Sequence, residues 1–522
     1  MKKFVAIFIW LLFAIACQAR IITVDDDGPA DFNNIQAAIN DSDDGDTIVV
    51  ADGTYTGAGN WDIDFKGKEI TVRSENGPQA TVVDCGGGQA RGFYFHSGET
   101  SSSVLSGFTI REGGLPAHNM GGCICCDESS PIIVECMLVL NFGGVGALSC
   151  HNGAAPTLFN CTIAKNAGEG GVIGCYSSSS PKLINCTINE NVDGALQCHG
   201  AYPTFLNCVF LGNSGGEVLS VKVGSYITRT NCLISGNSGS GVSICVSCFV
   251  DITSCTITDN RGAGIDIYTG SPDPSCFVNL SNSIVWGNAG GSLINVDSEV
   301  SFCCIGTEEV FPGVGNTNLN PMFICPGIFD FEKFAVEAVP DFWDDWMQFP
   351  DFAINSGDYH LQADSPCINA GDPYYAAEPD ETDLDGKPRV IGGRIDMGAY
   401  EYRPPIQAEM RIIPRSISLK SKGQWIAALL RLPEEYNVAD IDPNSILLEN
   451  EIKPDSFRII KDEQIAIAKF SREDVQSILD IGEVELTITG QLTDGTVFEA
   501  EDTIKVTDKG GGNPVKQHQS AR

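Results

Sequence analysis

Pro181-Lys-Leu-Ile-Asn-Cys186-Thr-Ile-Asn-Glu-Asn191 is the most informative stretch of this chain, because its pattern is written four times. It recurs as Pro131 to Asn141, Pro156 to Asn166 and Pro203 to Asn213, with cysteine five residues before asparagine each time. The same offset joins Cys232 to Asn237, Cys255 to Asn260 and Ser283 to Asn288, and successive repeats stand 25, 25, 22, 24, 23 and 28 residues apart. A near-constant period of this length, with slack for loops to absorb, marks a stacked-repeat architecture. A second row lies inside the same period: Gly122, Gly146, Gly171, Gly194, Gly216, Gly241 and Gly264 each precede by four residues Cys126, Cys150, Cys175, Cys198, Ser220, Cys245 and Tyr268. Each unit therefore reads as short strand, turn, short strand, turn. A unit this small cannot close a core alone, but stacking one on the next buries a continuous interior. The expected body is a parallel β-helix, with coils about 4.8 Å apart, cysteine as a small buried hydrophobe and the corner asparagines forming an amide ladder.

Composition agrees. Of 522 residues 43% are hydrophobic, which excludes wholesale disorder, while 57 glycines and only 19% charged residues favour turns and strands over helices. The formal charge of −36 repels phosphate backbones and excludes nucleic acid as a partner. Lys2 and Lys3 precede an apolar run from Phe4 to Ala16, the form of a signal peptide over residues 1–19 and too short to span a bilayer. Cleavage after Ala19 and a lipid anchor at Cys17 are both compatible with Ala14-Ile-Ala-Cys-Gln-Ala19. The protein is expected to be exported to the cell surface or beyond, with no transmembrane segment in the mature chain.

Ahead of the repeats, Asp31 to Asn40 has helical apolar spacing at Ile35, Ala38 and Ile39, and Gly45 to Thr56 reads as an alternating strand with a turn. This helix-then-strand opening resembles the N-terminal cap of the pectin-lyase-like right-handed β-helix proteins. The repeats, the closing stretch Asp358-Tyr-His-Leu-Gln-Ala-Asp-Ser-Pro-Cys367-Ile-Asn-Ala-Gly-Asp372, then Asp383-Leu-Asp-Gly386 with Pro388-Arg389 and Gly398-Ala-Tyr-Glu-Tyr402, resemble a widespread group of secreted bacterial β-helix proteins. The resemblance implies an all-β, right-handed parallel β-helix with a capping helix over residues 20–405. It implies no single function, since that superfamily includes polysaccharide lyases, glycoside hydrolases and adhesins.

From Ile406 the pattern changes to alternating strands separated by Pro, Asn and Gly turns, with one short helix from Ser471 to Leu479 that opens on a Ser-x-x-Asp cap. About a hundred such residues predict an immunoglobulin-like β-sandwich over 406–508, followed by a tail over 509–522. Segment 328–355 is rich in aromatic and acidic residues and breaks the repeat; it would stack on sugar rings or cover the open end of the coil. Cys123, Cys125, Cys126 and the pair Cys303 and Cys304 are the disulfide or metal candidates, while the ladder cysteines are expected as free thiols, since stacked strands hold Cβ atoms too far apart for a bridge.

Residues that follow the second row are Asp127, His151, Tyr176, His199 and then Val221. Stacked at strand spacing, the first four would place a carboxylate, an imidazole, a phenol and a second imidazole side by side, groups able to remove and return protons in β-elimination at a uronic acid. The competing interpretation is ordinary polar surface; the row has no Arg or Lys to neutralise a uronate. Asp383 and Asp385, followed by Gly386, resemble the start of a calcium loop, but position twelve would be Gly392 where a bidentate Glu is needed, so a solvated acidic turn is the alternative. Two functions follow: a rigid scaffold that contacts a polysaccharide or other surface polymer, or a carbohydrate-active enzyme, a lyase before a hydrolase.

Overall fold

The structure is a computed structural model that describes residues 19–87, 90–115, 121–267, 276–294, 299–329 and 353–508. The signal-peptide segment with Cys17, the aromatic stretch 330–352, Tyr268 and the tail 509–522 lie outside the described residues. Two compact units divide between Tyr402 and Arg403.

In the first unit three parallel sheets of 12, 11 and 9 strands are built coil by coil, and the sequence repeat shows why. Lys182–Ile184 enters the first sheet and Thr187–Asn189 the second, and Leu196–His199 enters the third. Asn185 (φ +54°) stands between the first two strands and Glu190 (φ +55°) ends the second. A single left-handed residue turns the chain sharply without spending a loop, and asparagine tolerates that conformation better than most side chains. Cys186 and Asn191 follow these two corners and point inward. Pairing is in register from coil to coil: Leu183 meets Leu158 and Phe205 in the first sheet, Ile163 meets Ile188 in the second, and Cys150 meets Cys175 in the third. All are fully buried in one continuous core.

The corner asparagines form the expected ladder. Asn141, Asn166, Asn191, Asn213, Asn237, Asn260 and Asn288 are buried, and each amide from Asn141 to Asn260 donates to the next Asn Oδ1 at 2.8–3.0 Å. Cys136, Cys161, Cys186, Cys208, Cys232 and Cys255 are buried free thiols, as expected. Cys123, Cys125, Cys126, Cys303 and Cys304 are buried free thiols too, so the disulfide expectation for them is corrected. They fill inward and tightly covered positions as small hydrophobes.

A helix at Ile35–Asp41 precedes the coils, capped by Asn34 Oδ1 on Ala37 N, and buries Ile35, Ala38 and Ile39. It starts later than its polar lead suggests, because Asp31 is spent on Thr23, accepting from its N–H and hydroxyl at 2.9 Å. The closing segment lies along the flank of the coils: Phe323, Tyr359, Leu361, Cys367 and Met397 cover Leu233, Ile284 and Cys304. Asn207 Nδ2 donates to Thr382 Oγ1 (3.2 Å) and Asn231 Nδ2 to Thr382 O (2.6 Å).

The second unit corrects the sandwich expectation. Its strands, from Ile406–Ile413 to Val497–Thr507, join in one eight-stranded mixed sheet. Ile406–Ile413 runs parallel to Val497–Thr507 and antiparallel to Trp425–Arg431, so one curled sheet closes over a single core that includes Ile412, Leu430, Phe470 and Phe498. Alternation along each strand states only that one face is buried, which a sandwich and a curled sheet share. The short helix is present as Arg472–Ile478, with Ser471 Oγ accepting from Asp474 N.

Candidate functional site: a ring strip on the third sheet

The third sheet runs from Phe93–Phe95 to Leu293–Ile294, and Cys126, Cys150, Cys175 and Cys198 face inward along it. The residue after each must then face outward, and the register brings Asp127 beside His151 and Tyr176 beside His199. The rings confirm the contact: His151 and Tyr176 stack at 5.1 Å between centroids (12°), Tyr176 and His199 at 6.0 Å (19°). All four sequence-derived residues therefore share one line, but Asp127 does not orient the histidine. Its carboxylate accepts from Asn152 Nδ2 at 2.8 Å.

The next step of the row differs from expectation. Cys198 pairs with Val221 and His199 with Lys222. Val221 thus takes the inward place assigned to Ser220, and Ile244 takes the place assigned to Cys245. The turn after Gly216 holds one residue more than the turn after Gly194, and in a strand a shift of one exchanges inside for outside. The correction supplies the missing cation: Lys222 follows His199 on the outer face.

At the other end the row continues past Asp127. Phe95 pairs with Cys126, so His96 stands one coil before Asp127. Tyr94 lies against His96 at 4.0 Å, and the Arg91 guanidinium sits 3.8 Å over the Tyr94 ring while Arg91 Nε bonds Asp62 at 2.9 Å. These residues escaped the sequence pattern because Phe95 occupies the cysteine position of that coil. From His96 to Lys222 the strip crosses five strand spacings, about 24 Å.

Its electrostatics are uneven. Burial, followed by the nearby Lys222 charge, lowers the His199 pKa, which keeps that imidazole neutral at pH 7. Burial lifts the Tyr176 hydroxyl to about 12, so it stays protonated. Gly174 is what lets the Tyr176 ring lie flat on the sheet: a Cβ there would stand 2.7 Å from Tyr176 Cε2 and 2.8 Å from Val145 Cγ2. The amide of Gln197 accepts from the Tyr176 hydroxyl at 3.4 Å in one orientation; in the other it donates to Gly170 O and faces Lys222 Nζ at 3.0 Å.

The acidic turn has a different environment. Asp383 is fully buried and its Oδ1 accepts main-chain N–H bonds from Asp385 (3.1 Å) and Lys387 (2.9 Å), with Oδ2 accepting from Glu401 N (3.2 Å). Asp385 accepts from His360 Nε2 at 2.8 Å, and Asp358 takes His360 Nδ1 at 2.6 Å. Burial opposes charge on His360, but these two hydrogen bonds outweigh it and lift the pKa to about 9. Calcium would have to compete with the main chain for Asp383 and with an imidazolium for Asp385. Arg389, also fully buried, meets Glu401 at 3.3 Å. The turn borders a groove of about 720 Å³ lined by Asn185, Asn207, Thr382, Asp385 and Tyr400 among others. Among the described residues the one compact group of potential metal ligands is Asp25, Asp26 and Asp27, remote in sequence from this turn.

Comparison with known proteins matches this architecture. Residues 48–210 and 148–302 fit the family model described as "Right handed beta helix region", so this part of the chain is a right-handed β-helix. Among solved structures, pectate lyase Pel9A is similar over 74% of this chain and 96% of its own, with 15% identity and a TM-score of 0.48. The A-module of mannuronan C-5 epimerase AlgE6 from Azotobacter vinelandii (15% identity, 52% of this chain, 81% of its own, TM-score 0.28) and a PL6 family alginate lyase, AlyGC (14%, 57% and 51%, 0.27), are similar at a lower level. No curated protein matches the sequence. No helix among the described residues is long and apolar enough to cross a membrane.

Proposed function

We propose that this is an exported, cell-envelope or extracellular protein whose right-handed β-helix contacts a polysaccharide along the outer face of its third sheet. The observation that carries this reading is the strip itself. Rings at Tyr176 and His199, stacked on the buried His151 ring, with the Arg91-covered Tyr94 ring at one end and Lys222 at the other, offer a polymer apolar faces, hydrogen-bonding tips and a cation on one rigid line. A chain of sugars repeats, and so does this surface. Lys222 gives an otherwise acidic protein a local place for a uronate carboxylate. A panel of immobilised neutral and uronate polysaccharides tests the reading: retention that Tyr176→Ala and Lys222→Ala each reduce at least tenfold is expected, and undiminished retention by both variants would refute it.

A second reading, a polysaccharide lyase, is favoured by Lys222. β-Elimination needs a neutralised uronate, a base for the C5 proton and an acid for the departing oxygen. Lys222 can pair with the carboxylate, neutral His199 can accept the proton, and protonated Tyr176 can return one. Incubation with uronate polymers, followed by the ultraviolet absorbance of the unsaturated product, separates the readings: an increase abolished by His199→Ala supports the enzyme, and binding without any increase supports the scaffold.

A further inference from the structure

The groove beside the acidic turn has no part in the strip on the third sheet. Its coil side is the corner between the first and second sheets, where Asn185 and Asn207 hold left-handed turns on successive coils. Its other side is the closing segment at Asp380, Thr382, Asp385 and Tyr400. At about 720 Å³ it falls within the range of small-ligand pockets, about 300–1,000 Å³.

The polar groups around it are held in place by one another. Asn207 Nδ2 donates to Asn185 Oδ1 and to Thr382 Oγ1, both at 3.2 Å, and Asn185 Nδ2 donates to Asn160 Oδ1 at 3.3 Å, so the corner amides form a fixed row. The Tyr400 ring packs on the His360 ring at 4.1 Å between centroids, and Asp385 is anchored by His360 Nε2 through Oδ2, which leaves Oδ1 for a ligand.

What the lining lacks is hydrogen-bond donors. Asn207 Oδ1 is covered and has no partner among the described residues. Neither has Oδ1 of the fully buried Asn231, one coil further on, whose Nδ2 donates to Thr382 O at 2.6 Å. Asp380 and Asp385 add two exposed carboxylates, while no Lys, Arg or His is among the residues that line the groove. A uronate or a phosphate would therefore meet anions and no cation. A ligand rich in hydroxyl groups fits, because each hydroxyl can donate to a carboxylate or amide oxygen, and bonds to a carboxylate are the stronger ones. Leu206, Leu384 and the Tyr400 ring supply apolar surface for the C–H face of a pyranose.

We propose that this groove binds a neutral saccharide, a second carbohydrate site whose preference is opposite to that of the strip. The strip has Lys222 for a uronate carboxylate; the groove selects hydroxyl donors and rejects anions. The two lie on different faces of the coils, so either can be present without the other.

Isothermal titration of the full-length protein with cellobiose, mannobiose and lactose, each up to about 20 mM, tests the proposal, with digalacturonate and calcium chloride titrated in parallel. Saturable binding of at least one neutral disaccharide is expected. Asp380→Lys should weaken it at least tenfold, and Thr187→Trp, at an outward and partly exposed strand position that lines the groove, should abolish it by filling the space. Tyr176→Ala and Lys222→Ala should leave it unchanged, so that failure of the strip and failure of the groove are read separately. No saturable binding of any of the three sugars, or equal binding in wild type and both groove variants, would overturn the proposal. Digalacturonate binding that Asp380→Lys strengthens would make the groove an anion site and overturn it too, as would calcium binding that Asp380→Asn abolishes in the absence of any sugar binding.

Discussion

Replacing Asn191 by Leu tests whether the amide ladder or the hydrophobic filling of the coils sets local stability. Asn191 Nδ2 donates to Ile163 O and to Asn213 Oδ1, both at 2.9 Å, while its Oδ1 accepts from Asn166 N and Asn166 Nδ2, both at 3.0 Å. Leucine removes all four bonds. Asn166 N–H is left buried without its partner, at about 1–3 kcal/mol. Asn166 Nδ2 keeps Leu138 O and Asn213 Oδ1 keeps Asn191 N, so those losses, with the one at Ile163 O, are ordinary ones of about 0.5–1.5 kcal/mol each. The apolar side chain recovers part of this, so a net loss of about 3–5 kcal/mol is expected. Urea unfolding gives the total, and hydrogen exchange should show lost protection concentrated in residues 163–213, because a solenoid coil leans only on its neighbours. Asn185→Gly is the control: Asn185 belongs to an exposed ladder with single bonds of 3.3 Å to Asn160 and 3.2 Å from Asn207, and glycine keeps its left-handed backbone. A loss below about 0.5 kcal/mol for Asn191→Leu, or a loss equal to the control's, would refute the ladder argument.

Further outcomes are expected from other sites. His360 has a folded pKa raised to about 9 against about 6.5 unfolded, so its stabilisation is complete below about pH 6.5 and is lost as pH rises through about 9; melting temperature should fall across that window in wild type and less in His360→Gln. Gly174→Ala should displace the Tyr176 ring, since the new Cβ would meet it at 2.7 Å, and polysaccharide retention should drop with far-ultraviolet circular dichroism unchanged. Burial pushes the Glu401 carboxyl up to about 8, so the folded carboxyl gives up its proton later than the unfolded one and wild-type stability falls as pH rises through about 8; Glu401→Gln, which removes the charge partner of buried Arg389, should therefore lower stability in chemical denaturation less at about pH 9 than at about pH 7. In the native protein an aromatic disulfide reagent should label Cys245, Cys276 and Cys325 first, because the other described cysteines are buried.

The solenoid was legible because its physics is one-dimensional. A cysteine and an asparagine recurring five residues apart report two corners of every coil, and like residues stack on like without any long-range information. The free-thiol ladder, the buried asparagines and the ring row of His151, Tyr176 and His199 all followed from that spacing. Where the spacing failed, so did the inference: one additional residue after Gly216 exchanged Ser220 for Val221 inside the coil and hid Lys222, and Phe95 in a cysteine position hid His96.

In the second unit, alternation along the strands fixed which side chains are buried, yet the pairing of Ile406–Ile413 with both Val497–Thr507 and Trp425–Arg431 lies in contacts far apart in sequence. A two-residue period records a buried face and carries no record of which strand lies beside which, so sandwich and curled sheet look alike until the chain is folded. The same holds for Asp383, Asp385 and His360. Their residue types suggest a metal loop, but the main-chain donors and the imidazole that occupy those carboxylates come together only when the closing segment lies along the coils. Arg229 is the sharpest instance. A cation in a strand reads as surface from sequence, and only the register, which turns it inward between Phe205 and Ile252, makes its charge a question for the core.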